Sequence, residues 1–267
     1  MSDECITSPQ NQWFKRLLKL RESRERKATG LTRIDGAREL MRALDADLPI
    51  EILVVCRERA RSEATRQAIA RAEARSRPAL IVDEKLYERL RYGDRDEGIC
   101  AATRWRPQAL TQITLGENPL LLVLEGVEKP GNLGAVLRTA DAAGADAVLL
   151  CDSAIDPSNP NAVRASLGAL FTLPVVQTST ADAIAYLAAG KITVFSAIVD
   201  AAQIYTDRDL RGPTALALGS EQAGLSEAWR GAGLAPLRIP MRGKADSLNV
   251  SVAAALLLYE AVRQRTA

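Results

Sequence analysis

From residue 120 onward the chain repeats one unit, a short apolar run followed by an alanine-rich stretch of helical length. The runs are LLLVLEGV (120–127), DAVLLCD (146–152), LPVVQT (173–178), ITVFSAIV (192–199), TALALGS (214–220) and PLRIPM (236–241). Continuously apolar runs belong in strands buried on both faces, not in strands with one face in water. With helices between them, they predict an α/β fold whose parallel sheet is covered on both sides. Ligands of such sheets bind outside the carboxyl ends of the strands. The strand-to-helix turns of this half are therefore where a functional site is expected.

The first half is less regular. Helices are predicted over 11–27 and 33–46, with ATGLTRIDG between them as a turn or short extended piece. A strand (51–56), a helix (60–76), a strand (79–83), a short helix (84–90) and a last strand (98–105) complete a small α/β domain. Residues 107–119 carry two prolines, a glycine and little periodicity, so they are expected to be a linker. The expected organisation is a domain over 1–106, the linker, and a second domain over 120–267.

Charge separates the halves. Residues 1–106 hold 23 Lys/Arg against 18 Asp/Glu, a net of +5, and residues 107–267 hold 12 against 15, a net of −3. The excess is concentrated in 15–42, with 10 basic and 4 acidic residues. Lys15, Arg16, Lys19, Arg21, Arg24, Arg26 and Lys27 lead this stretch and are the candidate contacts to an anionic partner, RNA foremost. A solvated arginine-rich helix surface would give the same pattern. The chain has no histidine, and its cysteines (Cys5, Cys56, Cys100 and Cys151) form no CxxC pair. This argues against a Ser-His or Cys-His hydrolase and against a zinc site, so no metal is expected. The thiols are expected to be reduced. No apolar run reaches the roughly 18–20 residues of a membrane span, and the N-terminus lacks a basic-then-apolar leader, so a cytoplasmic protein is expected.

Nucleotide-binding fingerprints are missing. Gly131 and Gly134 do not make GxGxxG, and there is no GxxxxGK[ST]. Three other segments stand at strand-to-helix turns. In the first, Asn132-Leu-Gly-Ala-Val-Leu-Arg138-Thr139, Asn132 could cap a helix that carries Arg138. In the second, ALALGSEQAGLS (215–226), a strand runs into Gly219, Ser220 and Glu221, where glycine lets backbone approach a ligand. In the third, RIPMRGKADSLNVSVAAALLLYE (238–260), a polar loop containing Ser247-Leu248-Asn249 enters a helix that is apolar on two faces. Val250, Ala254, Leu257 and Leu258 lie on one face, and Val252, Leu256 and Tyr259 on the other. Such a helix should be buried on both. Each segment alone also reads as a capped crossover helix, a tight turn or a core helix.

Together and in this order, the three segments resemble the signature motifs of the SpoU (TrmH-type) family of SPOUT methyltransferases. The segment NAVRASLGALFTLPVV (161–176) also looks like the family's stretch between the first two motifs. The first half, with RIDGAREL (33–40), resembles more weakly the L30e-like RNA-binding domain attached to many members. The resemblance implies a C-terminal parallel-sheet SPOUT domain with a trefoil knot, an exception to the rule that chains are unknotted. It implies S-adenosyl-L-methionine as cofactor, held near Leu218, Gly219, Ile239, Met241 and Leu248. It also implies a homodimer through the C-terminal helix.

The implied reaction is methyl transfer to a ribose 2′-hydroxyl. The protein must align attacking oxygen, methyl and sulfur, and manage a weakly acidic proton. Arg138 is the first catalytic candidate, for positioning the ribose-phosphate and stabilising a developing alkoxide. Asn132, Glu221, Ser247 and Asn249 would surround it, with Glu221 orienting Arg138 or Asn249. The two-domain layout favours ribosomal over transfer RNA. A transfer-RNA enzyme of the same family and a catalytically silent RNA-binding or ribosome-assembly factor are the alternatives.

Overall fold

The structure is a computed structural model and describes residues 4–266 except 7, 76–78 and 232. Its contacts divide the chain into two compact units. One is Met1–Arg106 with Asp156–Thr172; the other is Pro107–Ile155 with Leu173–Ala267.

The first unit runs β1 (Glu4–Cys5), α1 (Gln12–Lys19), α2 (Ser23–Thr29), β2 (Leu31–Ile34), α3 (Ala37–Asp45), β3 (Ile50–Val55), α4 (Glu63–Arg75), β4 (Leu80–Ile81), α5 (Glu84–Leu90) and β5 (Ile99–Arg104). The sheet order is β1-β4-β3-β5-β2, with β5 antiparallel to both neighbours. Phe14, Leu17 and Leu20 dock α1 on a core that includes Val54, Leu90 and Cys100.

Two sequence expectations need correction here. The single helix over 11–27 is two helices. Arg26 donates from Nη1 to the carbonyls of Leu20 (2.9 Å) and Arg21 (2.8 Å), capping the end of α1, and Glu22 is extended. The helix expected from residue 33 begins only at Ala37. Leu31–Ile34 is a wholly buried strand paired antiparallel to β5. Arg33 can sit in it because Asp35 accepts from its Nε (2.9 Å) and the Leu17 carbonyl from its Nη1 (2.7 Å).

The second unit runs β6 (Leu120–Glu125), α6 (Pro130–Ala142), β7 (Ala147–Cys151), β8 (Val175–Thr178), α9 (Thr180–Ala189), β9 (Thr193–Ala197), β10 (Thr214–Leu218), β11 (Ala235–Leu237) and α10 (Val250–Thr266). Two short helices, α7 (Pro160–Ala165) and α8 (Ala169–Thr172), fall between β7 and β8 in sequence. The six strands form a parallel sheet in the order β11-β9-β10-β6-β7-β8. The chain steps outward from β6 to β8, then crosses back so that β10 lies beside β6. Strand order reverses there, so the crevice at the carboxyl ends of β6 and β10 is where a ligand is expected. One face of the sheet packs Leu121, Val123, Leu149, Ala215 and Trp229 with Leu187 of α9. The helices α6 and α10 pack against each other, and α10 against β10. Arg265 pins the end of α10 by donating to the carbonyls of Leu210, Asn118, Pro119 and Gly212.

The contacts do not follow a contiguous division at residues 106 and 120. The helices α7 and α8 belong to the first unit: α8 packs on α3, and Arg164 lies 5.8 Å from the Tyr92 ring. Residues 107–119 belong to the second, where Gln108 donates its N–H to the Val175 carbonyl (2.8 Å) and Leu110, Ile113 and Leu115 cover the sheet core.

Candidate active site

Glu125 ends β6 and is buried. Its carboxylate accepts from Thr180 Oγ1 (2.8 Å), Ser226 Oγ (2.8 Å) and the Ser226 N–H (2.6 Å). These bonds fasten the far end of the turn that follows β10. The near end is fixed by close packing, since a Cβ on Gly219 would overlap the backbone of Gly224 and Leu225. Gly224, at φ +68°, donates its N–H to the Ser220 carbonyl at 2.9 Å and closes the turn.

This turn, the segment after β9 and the loop before α10 enclose a cavity of about 650 Å³. Leu218, Gly219, Ile239, Met241 and Leu248 all line it, as do Glu221 and Ser247. Its size falls in the range of small-molecule sites, roughly 300–1,000 Å³. Apolar side chains stand beside exposed turn backbone, which suits a purine ring that needs both stacking surface and edge hydrogen bonds. The strand expected over 236–241 ends at Leu237, so Ile239 and Met241 reach the cavity from a loop.

Beside the cavity the three sequence motifs are joined by side chains. Asn132 donates through Nδ2 to Glu221 Oε1, and its Oδ1 accepts from Asn249 Nδ2 at 3.3 Å. Asn249 in turn caps α10, its Oδ1 accepting from Ser251 N (2.9 Å) and Oγ (2.7 Å). The sequence offers Asn132 as a helix cap, but it is not one: α6 starts at Pro130, and Asn132 lies inside its first turn. Glu221 orients neither Arg138 nor Asn249 directly; its partner is Asn132. Arg138 lies six residues further along α6, exposed, and makes no hydrogen bond to this chain of groups. Ser247 is exposed on the cavity wall.

The seven basic candidates of the first unit separate into two groups. Lys15, Arg16, Lys19, Arg24 and Lys27 are exposed. Arg26 is not available: it is 3% exposed and its guanidinium is held by Asp156 Oδ2, at 2.9 Å from Nε and 2.7 Å from Nη2. Arg21 is committed as well, donating to the carbonyls of Arg89, Leu90 and Arg91, each at 2.9 Å. Charge patterning finds basic residues but not those that internal acceptors consume. Burial would raise the Asp156 carboxyl, but its Ser158 hydrogen bonds and the Arg26 guanidinium outweigh this and hold it below the ordinary carboxylate range.

A parallel sheet with a ligand crevice at its order reversal, lined by glycine-turn backbone and apolar side chains, fits an enzyme that takes up a nucleoside-like small molecule. Residues 119–259 match the SpoU rRNA Methylase family, and residues 11–101 match the MRM3-like substrate binding domain. The chain belongs to the SpoU family. It is 32% identical over 95% of its length, and 89% of the relative's, to a 23S rRNA (uridine-2′-O)-methyltransferase of Streptomyces viridochromogenes. A crystal structure of an RNA 2′-O ribose methyltransferase superposes with a TM-score of 0.86 at 39% identity, covering 98% of this chain and 100% of that one. An AdoMet-bound rRNA methyltransferase from Sinorhizobium meliloti superposes with 0.86 at 32% identity, covering 97% of each chain. The chain is thus an S-adenosyl-L-methionine-dependent RNA 2′-O-ribose methyltransferase.

Glu125 was overlooked in the sequence, although a signal was there. It is the one charged residue in the apolar run LLLVLEGV, at the carboxyl end of a central strand.

Proposed function

We propose that this enzyme methylates a ribose 2′-hydroxyl of ribosomal RNA in the cytoplasm, acting as a homodimer. The observation that carries the reading is the Glu221–Asn132–Asn249 hydrogen-bonded chain beside the cavity, with Arg138 exposed on the helix that supplies Asn132. Leu218, Gly219, Ile239, Met241 and Leu248 would hold S-adenosyl-L-methionine, which supplies an already activated methyl group. The asparagine chain fixes the walls against which the target ribose lies. Arg138 would hold the ribose-phosphate through its guanidinium fork and stabilise charge developing on the attacking oxygen. The knot implied by the family resemblance is part of this reading.

The first unit grips RNA phosphates through Lys15, Arg16, Lys19, Arg24 and Lys27. The match of residues 11–101 to a substrate-binding domain supports this. For the dimer, Val252, Leu256 and Tyr259 form an i, i+4, i+7 stripe on α10 that is 47%, 38% and 50% exposed. A second copy of the same helix would cover it.

The test is methyl transfer from labelled cofactor to total ribosomal and total transfer RNA, with Arg138→Ala as control. Label in ribosomal RNA as 2′-O-methylribose, lost in the control, is the expected result. Label confined to transfer RNA would overturn the substrate. Full activity of Arg138→Ala would overturn the arginine's role.

A further inference from the structure

We propose that Arg230 receives the carboxylate at the amino-acid end of S-adenosyl-L-methionine; this rests on the cavity at the carboxyl end of β10 being the cofactor site. Among the described residues that line the cavity, Asp200, Glu221 and Asp246 carry carboxylates and Arg230 alone is cationic. The cofactor carries a sulfonium, an ammonium and a carboxylate. Its two positive groups find acids wherever they lie in such a cavity. Its carboxylate has Arg230 as the one oppositely charged partner among these lining residues, so charge favours one orientation of the amino-acid end.

The local structure supports this use. Arg230 closes a single 3₁₀ turn, Glu227–Arg230, whose backbone is fixed on two sides. Ser226, just before the turn, is bound by Glu125 through both N–H and Oγ. Trp229, the preceding residue, is fully buried against the sheet core. The arginine therefore projects from an anchored stem while its own side chain stays 42% exposed. Its present partners are loose: Asp200 Oδ1 at 3.3 Å from Nη2, and Glu227 Oε1 at 3.6 Å from Nε. A ligand carboxylate can take the guanidinium fork in two parallel bonds. Asp200, relieved of the arginine, is then placed to accept the neighbouring ammonium. The loose Arg230–Asp200 pair is exchanged for two pairs with the zwitterion.

The experiment is calorimetric binding to the full chain of S-adenosyl-L-methionine, S-adenosyl-L-homocysteine and decarboxylated S-adenosylmethionine, which lacks only the carboxylate. Arg230→Ala should weaken the first two by about tenfold, the scale of a charge-assisted bond at a partly exposed site. It should leave the decarboxylated compound within about twofold. Arg230→Lys, keeping charge without the fork, should fall between. Unchanged affinity of Arg230→Ala for the two carboxylate ligands would overturn the proposal. An equal loss for all three ligands would also overturn it, by showing a structural role. Gly219→Ala tests the cavity reading separately: if it leaves all three affinities intact, the cavity is not the cofactor site, and the assignment of Arg230 falls with it.

Discussion

Glu125→Ala should cost the second unit stability and the enzyme its grip on cofactor, and Glu125→Gln should cost much less of both. The carboxylate accepts three hydrogen bonds within 2.6–2.8 Å from Thr180 and Ser226. Hydrogen bonds to a charged group contribute about 1.5–3 kcal/mol each, and the three are not additive because Ser226 is exposed and can rehydrate. A loss of about 3 kcal/mol is the reasonable scale, or roughly 6–12 °C in melting temperature for a chain of this size. Glutamine fits the same space. With its oxygen toward the Ser226 N–H and its amide toward the two hydroxyls, every donor finds an acceptor, since hydroxyls accept as well as donate. Only the charge is lost. Because Ser226 anchors the turn lining the cavity, Glu125→Ala should also weaken cofactor binding about tenfold. Thermal unfolding and cofactor titration of both variants check this. If alanine leaves melting temperature and affinity unchanged, the carboxylate does not hold the turn. If glutamine is as damaging as alanine, charge rather than hydrogen-bond geometry is what matters.

Gly219→Ala places a Cβ on the backbone of Gly224 and Leu225, which no side-chain rotation can relieve, so cofactor binding should be lost while secondary structure by circular dichroism persists. Removing Arg26 as Arg26→Ala leaves the partly buried Asp156 without its cation and should destabilise the first unit by about 2 kcal/mol, read by denaturant unfolding. The folded Asp156 carboxyl is held below its ordinary value of 3.8, so its contribution is complete above that pH and fades as pH falls through the folded value; Arg26→Ala should flatten this acid limb of the stability curve. Of the four cysteines only Cys5 is exposed, and burial raises Cys56 to about 11 and Cys100 and Cys151 to about 12. A thiol reagent at pH 8 should modify one cysteine per folded chain quickly and the other three only on unfolding. Leu256→Glu, placing a charge in the α10 stripe, should convert a dimer to monomer by sedimentation; an unchanged mass would remove the stripe as the interface.

The catalytic half was legible because its strands are buried on both faces, so each stands out as an apolar run whatever its neighbours do. Their order in the sheet was not legible. Nothing in TALALGS says that it lies between β6 and β9, yet that insertion creates the crevice. The first half was harder because its decisive interactions are polar and distant in sequence. Leu31–Ile34 is a strand because Arg33 finds Asp35 and the Leu17 carbonyl, and no local periodicity carries that information. The break in the first helix has the same origin, in an arginine that reaches back to two carbonyls. Composition counted Arg26 and Arg21 as surface charge. The structure spends both on internal acceptors, which leaves a smaller basic surface than the sequence advertises.

The arrangement around the cavity also constrains how a site without histidine can work. The amide groups of Asn132 and Asn249 do not titrate, and they are aligned by one carboxylate, Glu221. The two amides fix geometry and move no proton by themselves. Arg138, on the helix that supplies Asn132, is exposed and not hydrogen-bonded to it, and an anionic ligand can still organise it. The substrate brings that anion, since every ribose in RNA is flanked by phosphates. Docking RNA would therefore assemble the last part of the site, placing Arg138 on a phosphate beside the target hydroxyl. A free nucleoside lacks the phosphate and should not be methylated even at concentrations that saturate binding, whereas an oligonucleotide containing the target should be. Equal turnover of nucleoside and oligonucleotide would show that Arg138 needs no phosphate to reach its working position.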